Sequence, residues 1–180
     1  MKRIDMTEVR EAGDFSKPAA GPYICKITAI KDVEDREYLK ISYDIDQGEF
    51  KGYYTKARES HPDWEWMGAY ARSYKPTALG MFKRFCSAVS KSNGNFVFDA
   101  GNVNSDESTL IGKQLGIVFQ EEEYYSNSGD KRTRLIVNHE FPIDKLAEQK
   151  TPEPKRLPEA RPTSDFSVDV PAGTDEEIPF

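Results

Sequence analysis

The sequence predicts a mainly β domain, a five-stranded barrel with one helix between its third and fourth strands, followed by an acidic tail without a fold of its own. Three observations predict it. Five stretches carry strand signals, alternating or β-branched apolar residues bounded by turn residues. One stretch repeats its apolar residues at three- and four-residue spacing, the period of a helix. At Thr151 the composition changes abruptly.

Residues 1–21, with Gly13, Pro18 and Gly21, read as a lead-in arm to a domain over residues 1–150. The first strand falls at residues 23–33, where Ile24, Cys25, Ile27 and Ile30 mark the apolar positions. The acidic turn DVED passes the chain to residues 38–46, whose Leu39, Ile41, Tyr43 and Ile45 line one face. A turn at Gln47 and Gly48 leads to a third strand at residues 50–56, completing a meander. The helix is predicted over residues 76–91, with Pro76 in its first turn and Leu79, Phe82, Phe85, Cys86 and Val89 on its apolar face. Asn93 and Gly94 end it. Strands four and five fall at residues 114–125 and 134–141, joined by the polar loop SNSGDKR. The order β-β-β-α-β-β is that of the OB-fold. Another small antiparallel α+β domain is the competing architecture.

Residues 151–180 read differently. Six of the eleven prolines fall there, and the apolar residues are isolated. Such a stretch cannot bury enough apolar surface to offset the entropy of ordering it, so a disordered tail is expected. The formal charge of −6 divides into −4 on the tail and −2 on the body.

Composition also excludes classes of function. Apolar runs are only a few residues long, so no membrane-spanning helix is expected. The N-terminal MKRIDMTEVREAG lacks the apolar core of a secretory signal. Cys25 and Cys86 are far apart, with no Cys or His at metal-ligand spacing, which points to a reducing cytoplasm without disulfides or structural zinc. His61 and His139 belong to no nucleophile or metal motif, and His139 reads as a satisfied histidine on the Leu135, Val137, Phe141 face. Cys86 reads as core packing, and Glu121, Glu122 and Glu123 as a strand end meeting solvent. No enzyme, metal or cofactor is expected.

Between Lys51 and Lys91 eight bases meet three acids, net +5, and the same stretch holds both tryptophans and eight of the 21 aromatics. Cations that follow phosphates, interleaved with rings that stack on bases, are the chemistry of single-strand binding, at about 1–3 kcal/mol per stacked base. The competing reading places the tryptophans in a small core of their own. The candidate nucleic-acid-binding residues are Tyr53, Tyr54, Lys56, Arg58, Trp64, Trp66, Tyr70, Arg72, Tyr74 and Lys75, with Lys40 on the second strand. A second group, Tyr124, Tyr125, Lys131, Arg132 and Arg134, flanks the loop between strands four and five, a loop that frames the ligand face in OB-folds.

The chain closes on DEEIPF. Asp175, Glu176 and Glu177 followed by Ile178, Pro179 and Phe180 form a small peptide ligand, apolar side chains for a pocket and carboxylates for Arg or Lys. These six residues resemble the acidic tip of bacterial single-stranded DNA-binding proteins. The body, from about Asp5 to Lys155, resembles a family of phage-encoded single-stranded DNA-binding proteins of Gram-positive hosts. That likeness rests on EAGDFSKPAAGPY, DIDQGEFKGYY, SYKPTALGMFKRF and GKQLGIVFQEEEY. The resemblance implies an OB-fold, and a protein that coats unpaired DNA in replication or recombination within the bacterial host cytoplasm. It also implies that the tip recruits replication, recombination and repair proteins. An adaptor or decoy that captures host repair proteins without DNA, and a strand-annealing factor, are the alternatives. A metal-dependent nuclease using the Glu121 cluster ranks last. A homo-oligomer is left open.

Overall fold

The computed structural model describes residues 16–63, 65–102 and 105–158. Five strands form one antiparallel sheet in the order β3-β2-β1-β4-β5: β1 Gly21–Val33, β2 Tyr38–Ile45, β3 Ala69–Ser73, β4 Gln114–Tyr125 and β5 Lys131–Phe141. Two helices accompany it, α1 Tyr53–Ser60 and α2 Leu79–Ser92, the second lying between β3 and β4 in sequence. Alternation along β1, β2 and β4 sends Cys25, Ile27, Leu39, Ile41, Ile45, Leu115, Ile117 and Phe119 into one core, where Phe82, Phe85 and Val89 of α2 join them. Burying a side chain as large as Phe85, fully enclosed, contributes about 1.5–3 kcal/mol.

The third strand is not where the sequence places it. Residues 50–56 make a turn and the first residues of α1, and the third strand is Ala69–Ser73. Gly48 and Gly52 take positive φ (82° and 71°), which breaks an extended run before it starts. The N-cap position of α1 is Gly52, with no side chain to cap the helix. Asp44 at the end of β2 supplies one instead: its carboxylate accepts from the N–H groups of Ile45 (2.8 Å), Tyr54 (3.0 Å) and Thr55 (3.0 Å) and from the Thr55 hydroxyl (2.5 Å). A negative charge on the free N–H groups of the first turn is what a helix start favours. The local β propensity of Tyr53 and Tyr54 loses to that tertiary cap.

Two glycines are required by close approach. A Cβ on Gly68 would meet the Tyr43 carbonyl oxygen and the Tyr54 ring. One on Gly116 would lie inside the ring of Phe141, its cross-strand partner.

Between β3 and β5, the two edges of the sheet, no backbone pairing closes the circle among the described residues. The edges meet through side chains: Arg72 Nε of β3 donates to Glu140 Oε1 of β5 at 2.5 Å. The two side chains are 14% and 1% exposed. A bulge directs Glu140 there. Phe119 pairs Val137 while Val118 pairs His139, so Asn138 is the extra residue and the alternation beyond it is inverted. Glu140 therefore shares the Ile117 face, and His139 turns to the Val118 side. His139 does not share the Leu135–Val137 face as the sequence pattern implied; its ring nitrogens lie 2.7 Å from Asn138 Oδ1 and 3.0 Å from Gln149 Oε1.

Smaller differences also follow from local chemistry. Leu79, placed on the apolar helix face by its spacing, is half exposed at the start of α2, behind the 3-10 turn Pro76–Ala78. Strand β5 begins at Lys131, three residues earlier than its apolar pattern, because its polar start pairs with β4. Residues 151–157, which compositionally open the tail, lie against β4. The Lys155 N–H donates to the Glu121 carbonyl (2.8 Å), the Glu123 N–H donates to the Lys155 carbonyl (2.8 Å), and Gln120 Nε2 donates to the Glu153 carbonyl (2.6 Å). β1 leaves β4 at Phe119, so this segment takes the edge that β1 vacates. The remainder of the tail, with its tip, and most of the lead-in arm lie outside the described residues.

Candidate nucleic-acid interface

The ring-and-base set predicted from residues 53–75 divides sharply once folded. Tyr54 is a core residue, 8% exposed, with its ring 5.4 Å from Tyr43, and burial pushes its phenol up to about 12. Trp66 is half-buried, and its indole N–H donates to the carbonyls of Gly68 (2.9 Å) and Tyr43 (3.2 Å). Tyr70 points to the core face beside Ile41. Burial first, and then the Glu140 carboxylate, push its phenol well up. Arg72 lies over the Tyr70 ring at 4.7 Å and is committed to Glu140. Tyr74 packs on Phe82 and donates its hydroxyl to Asp32 at 2.9 Å; desolvation and that acceptor push it up to about 12. Tyr53 is half-buried between Phe50 and Tyr54. Tyr54 is covered by the fold and the others are partly covered. Tyr70 and Arg72 are engaged on the core face and with Glu140, and Trp66 and Tyr74 are tied down by their hydrogen bonds. Trp64 and the tip residues Asp175, Glu176, Glu177, Ile178, Pro179 and Phe180 lie outside the described residues.

Lys40, Lys56, Arg58 and Lys75 are exposed, as predicted residues available to a ligand must be. The register explains what Lys40 is near. Lys40 sits directly opposite Lys31 of β1 and opposite Ala71 of β3, on the face of the sheet turned away from the core. The neighbouring row across the same three strands is Ala29, Ser42 and Ala69. Two like charges directly opposite in an antiparallel pair destabilise it, and neither lysine has an ion pair among the described residues. The small side chains beside them leave the backbone open to close approach.

The same outer face continues along β1 to Thr28 and Lys26, and there α1 forms the wall of an open cleft of about 470 Å³. Lys26, Lys51 and Lys56 line it with Thr28, Thr55, Asp44, Asp46 and Glu59. Lys56 Nζ donates to the Lys51 carbonyl at 3.1 Å, and Lys26 pairs with Asp46 at 3.5 Å. Asp44 is already spent on α1. From Lys26 to Lys31 the strand advances roughly 17 Å at about 3.3 Å per residue. A path of lysines therefore runs from the cleft to the Lys31–Lys40 pair. Lys31 is not marked by spacing, because its neighbour is made by register; its outward position in the alternation of β1 is the one signal in the sequence that points to it.

Helix α2 contributes a second basic surface. Lys83, Arg84 and Lys91 are exposed, and α2 contains no acid.

The β4–β5 hairpin is different again. Its three bases are each held by a carboxylate: Lys131 by Glu123 at 2.9 Å, Arg132 by Asp130 at 3.6 Å and Arg134 by Glu122 at 2.7 Å. Arg134 also lies 5.0 Å over the Tyr124 ring. Tyr125 is the exposed aromatic at the tip, 58% accessible. Glu123 is drawn below the usual carboxylate range by the Lys131 ammonium and by the Leu157 N–H.

Among the described residues no group of three or more His, Cys, Asp or Glu is arranged to hold a metal ion, and no helix is long and apolar enough to cross a membrane. Comparison with family models and with curated proteins gives no match to this chain.

Proposed function

We propose that this protein is a non-enzymatic, sequence-tolerant binder of single-stranded DNA. The body, a five-stranded OB-type barrel whose seam is closed by Arg72 and Glu140, grips the strand. The acidic tip recruits replication, recombination or repair proteins in the cytoplasm of a bacterial host. The observation that carries the proposal is the Lys31–Lys40 pair. Two uncompensated lysines face each other on a surface of small side chains, and a phosphodiester backbone removes the repulsion they create. The lysines of the cleft extend that surface, and Tyr125 offers a ring face at the hairpin. Unpaired bases need such a ring, whereas a duplex hides its base faces.

Fluorescence anisotropy of labelled oligo-dT, titrated with the full chain at several salt concentrations, tests the reading. It predicts saturable binding that weakens steadily as salt rises. Equal or tighter binding to duplex of the same length overturns it.

A second reading, an adaptor that captures host proteins without DNA, is favoured by the neutralised hairpin, where four acids (Glu121, Glu122, Glu123 and Asp130) meet three bases. It predicts tip-dependent protein capture with no mobility shift of single-stranded DNA.

A further inference from the structure

The neutralised hairpin bases and the segment at residues 153–157 share their partners. Glu122 Oε2 holds Arg134, while its Oε1 lies 3.9 Å from Lys155 Nζ. Glu123 Oε2 holds Lys131 at 2.9 Å and also accepts from the Leu157 N–H at 3.0 Å. Arg156, exposed between them, adds a further positive field at Glu123. Two adjacent carboxylates thus each receive one group from the hairpin and one from the segment that crosses beside it. For Glu123 the two donors meet at a single oxygen.

A carboxylate shared in this way sets the hairpin base and the crossing segment in competition. An anion that takes Lys131 or Arg134 away leaves Glu123 and Glu122 to Leu157 and Lys155. Conversely, a segment that holds those carboxylates lowers the cost of surrendering the bases. We propose that residues 153–157 belong to the binding surface itself. Lys155, Arg156 and the Leu157 N–H act as substitute counter-groups for Glu122 and Glu123, and so release Lys131 and Arg134, which the register sets on opposite faces of the hairpin, to phosphates of a bound single strand. The inference rests on the proposed single-strand binding and assigns the hairpin its phosphate contacts. It makes Lys155, Arg156 and Leu157 positioning residues for the ligand.

Because coupling free energies are reciprocal, the strand must tighten the segment by the same factor as the segment tightens the strand. Exposed ion pairs of this type set the scale at roughly 2- to 5-fold. Amide hydrogen exchange of the full chain, with and without saturating oligo-dT, reads this directly. Exchange at Lys155, Glu123 and Leu157 slows by about 2- to 5-fold on binding. The Leu157→Pro variant removes one N–H and no charge. It binds oligo-dT about 2- to 5-fold more weakly, with a salt slope lower by roughly one phosphate contact. Glu123→Gln added to Leu157→Pro restores both, since Lys131 no longer has a carboxylate to leave.

If oligo-dT binds but exchange at those amides is unchanged or faster, the inference fails and the proposed function stands. The inference fails equally, again with the proposed function intact, if Leu157→Pro binds as the parent does. If oligo-dT does not bind at all, both fail together.

Discussion

Replacing Arg72 with methionine tests what joins the two edges of the sheet. The Glu140 side chain is 1% exposed, so without Arg72 its carboxylate stays buried with no cation beside it. Removing one partner of a buried ion pair costs about 3–5 kcal/mol, mostly the desolvation of the charge left behind. For a domain of this size each kcal/mol lowers the thermal midpoint by about 2–4 °C, so Arg72→Met is predicted to lower it by about 10 °C. Urea unfolding followed by circular dichroism gives the free energy itself. Replacing both partners, Arg72→Met with Glu140→Leu, removes the stranded charge and is predicted to recover most of the loss. A single-variant loss under about 1 kcal/mol, the range of an exposed pair, refutes the reasoning. So does a double variant no better than the single one.

Three further outcomes follow from the same contacts. Gly116→Val drives a side chain into the Phe141 ring and is predicted to destabilise by about 1–3 kcal/mol, read from the urea midpoint; Phe141→Ala in the same chain relieves part of it. Asp44→Ala strips the first turn of α1 of its acceptor and is predicted to cost about 2 kcal/mol, with amide exchange at Tyr54 and Thr55 accelerating ahead of exchange in β1 and β4. The pH dependence has a definite sign: the Tyr54 phenol is raised in the folded state to about 12, against about 10 unfolded, so folding favours the protonated form. Its contribution is complete below about pH 10 and is lost as the pH rises through about 12. Urea midpoints are therefore predicted to fall across that window, with a cooperative rise in tyrosinate absorbance; a flat midpoint contradicts the burial of Tyr54.

Much of this fold was legible because period and burial coincide. The spans of β1, β2, β4 and α2 follow from alternation or helical spacing that faces a single core. The third strand was not legible, because Tyr53 and Tyr54 have the composition of a strand, and what makes them helical is a carboxylate on β2 that sequence distance hides. The inward turn of Glu140 was equally hidden, since it depends on one extra residue in β5 that no local pattern marks. For the candidate site, composition singled out a stretch without separating its buried parts from its exposed ones. Aromatics interleaved with bases between residues 53 and 75 describe a core wall and its hydrogen bonds as well as a stacking platform. Only burial separates the two. Lys40 was visible in sequence, but its meaning came from Lys31 opposite. The bases of the hairpin were visible too, while the pairing of each with its carboxylate, and the segment that shares those carboxylates, needed the strand register.

The proposed single-strand binding rests most directly on the outer face of β1 and β2. The decisive measurement is the salt dependence of oligo-dT affinity for the parent chain and for Lys31→Ala/Lys40→Ala, two exposed positions whose loss leaves the core untouched. The expected result is weaker binding in the variant, a salt slope lower by about one to two phosphate contacts, and unchanged thermal stability or a small gain from the removed repulsion. Parent and variant binding with the same affinity and the same slope would contradict it.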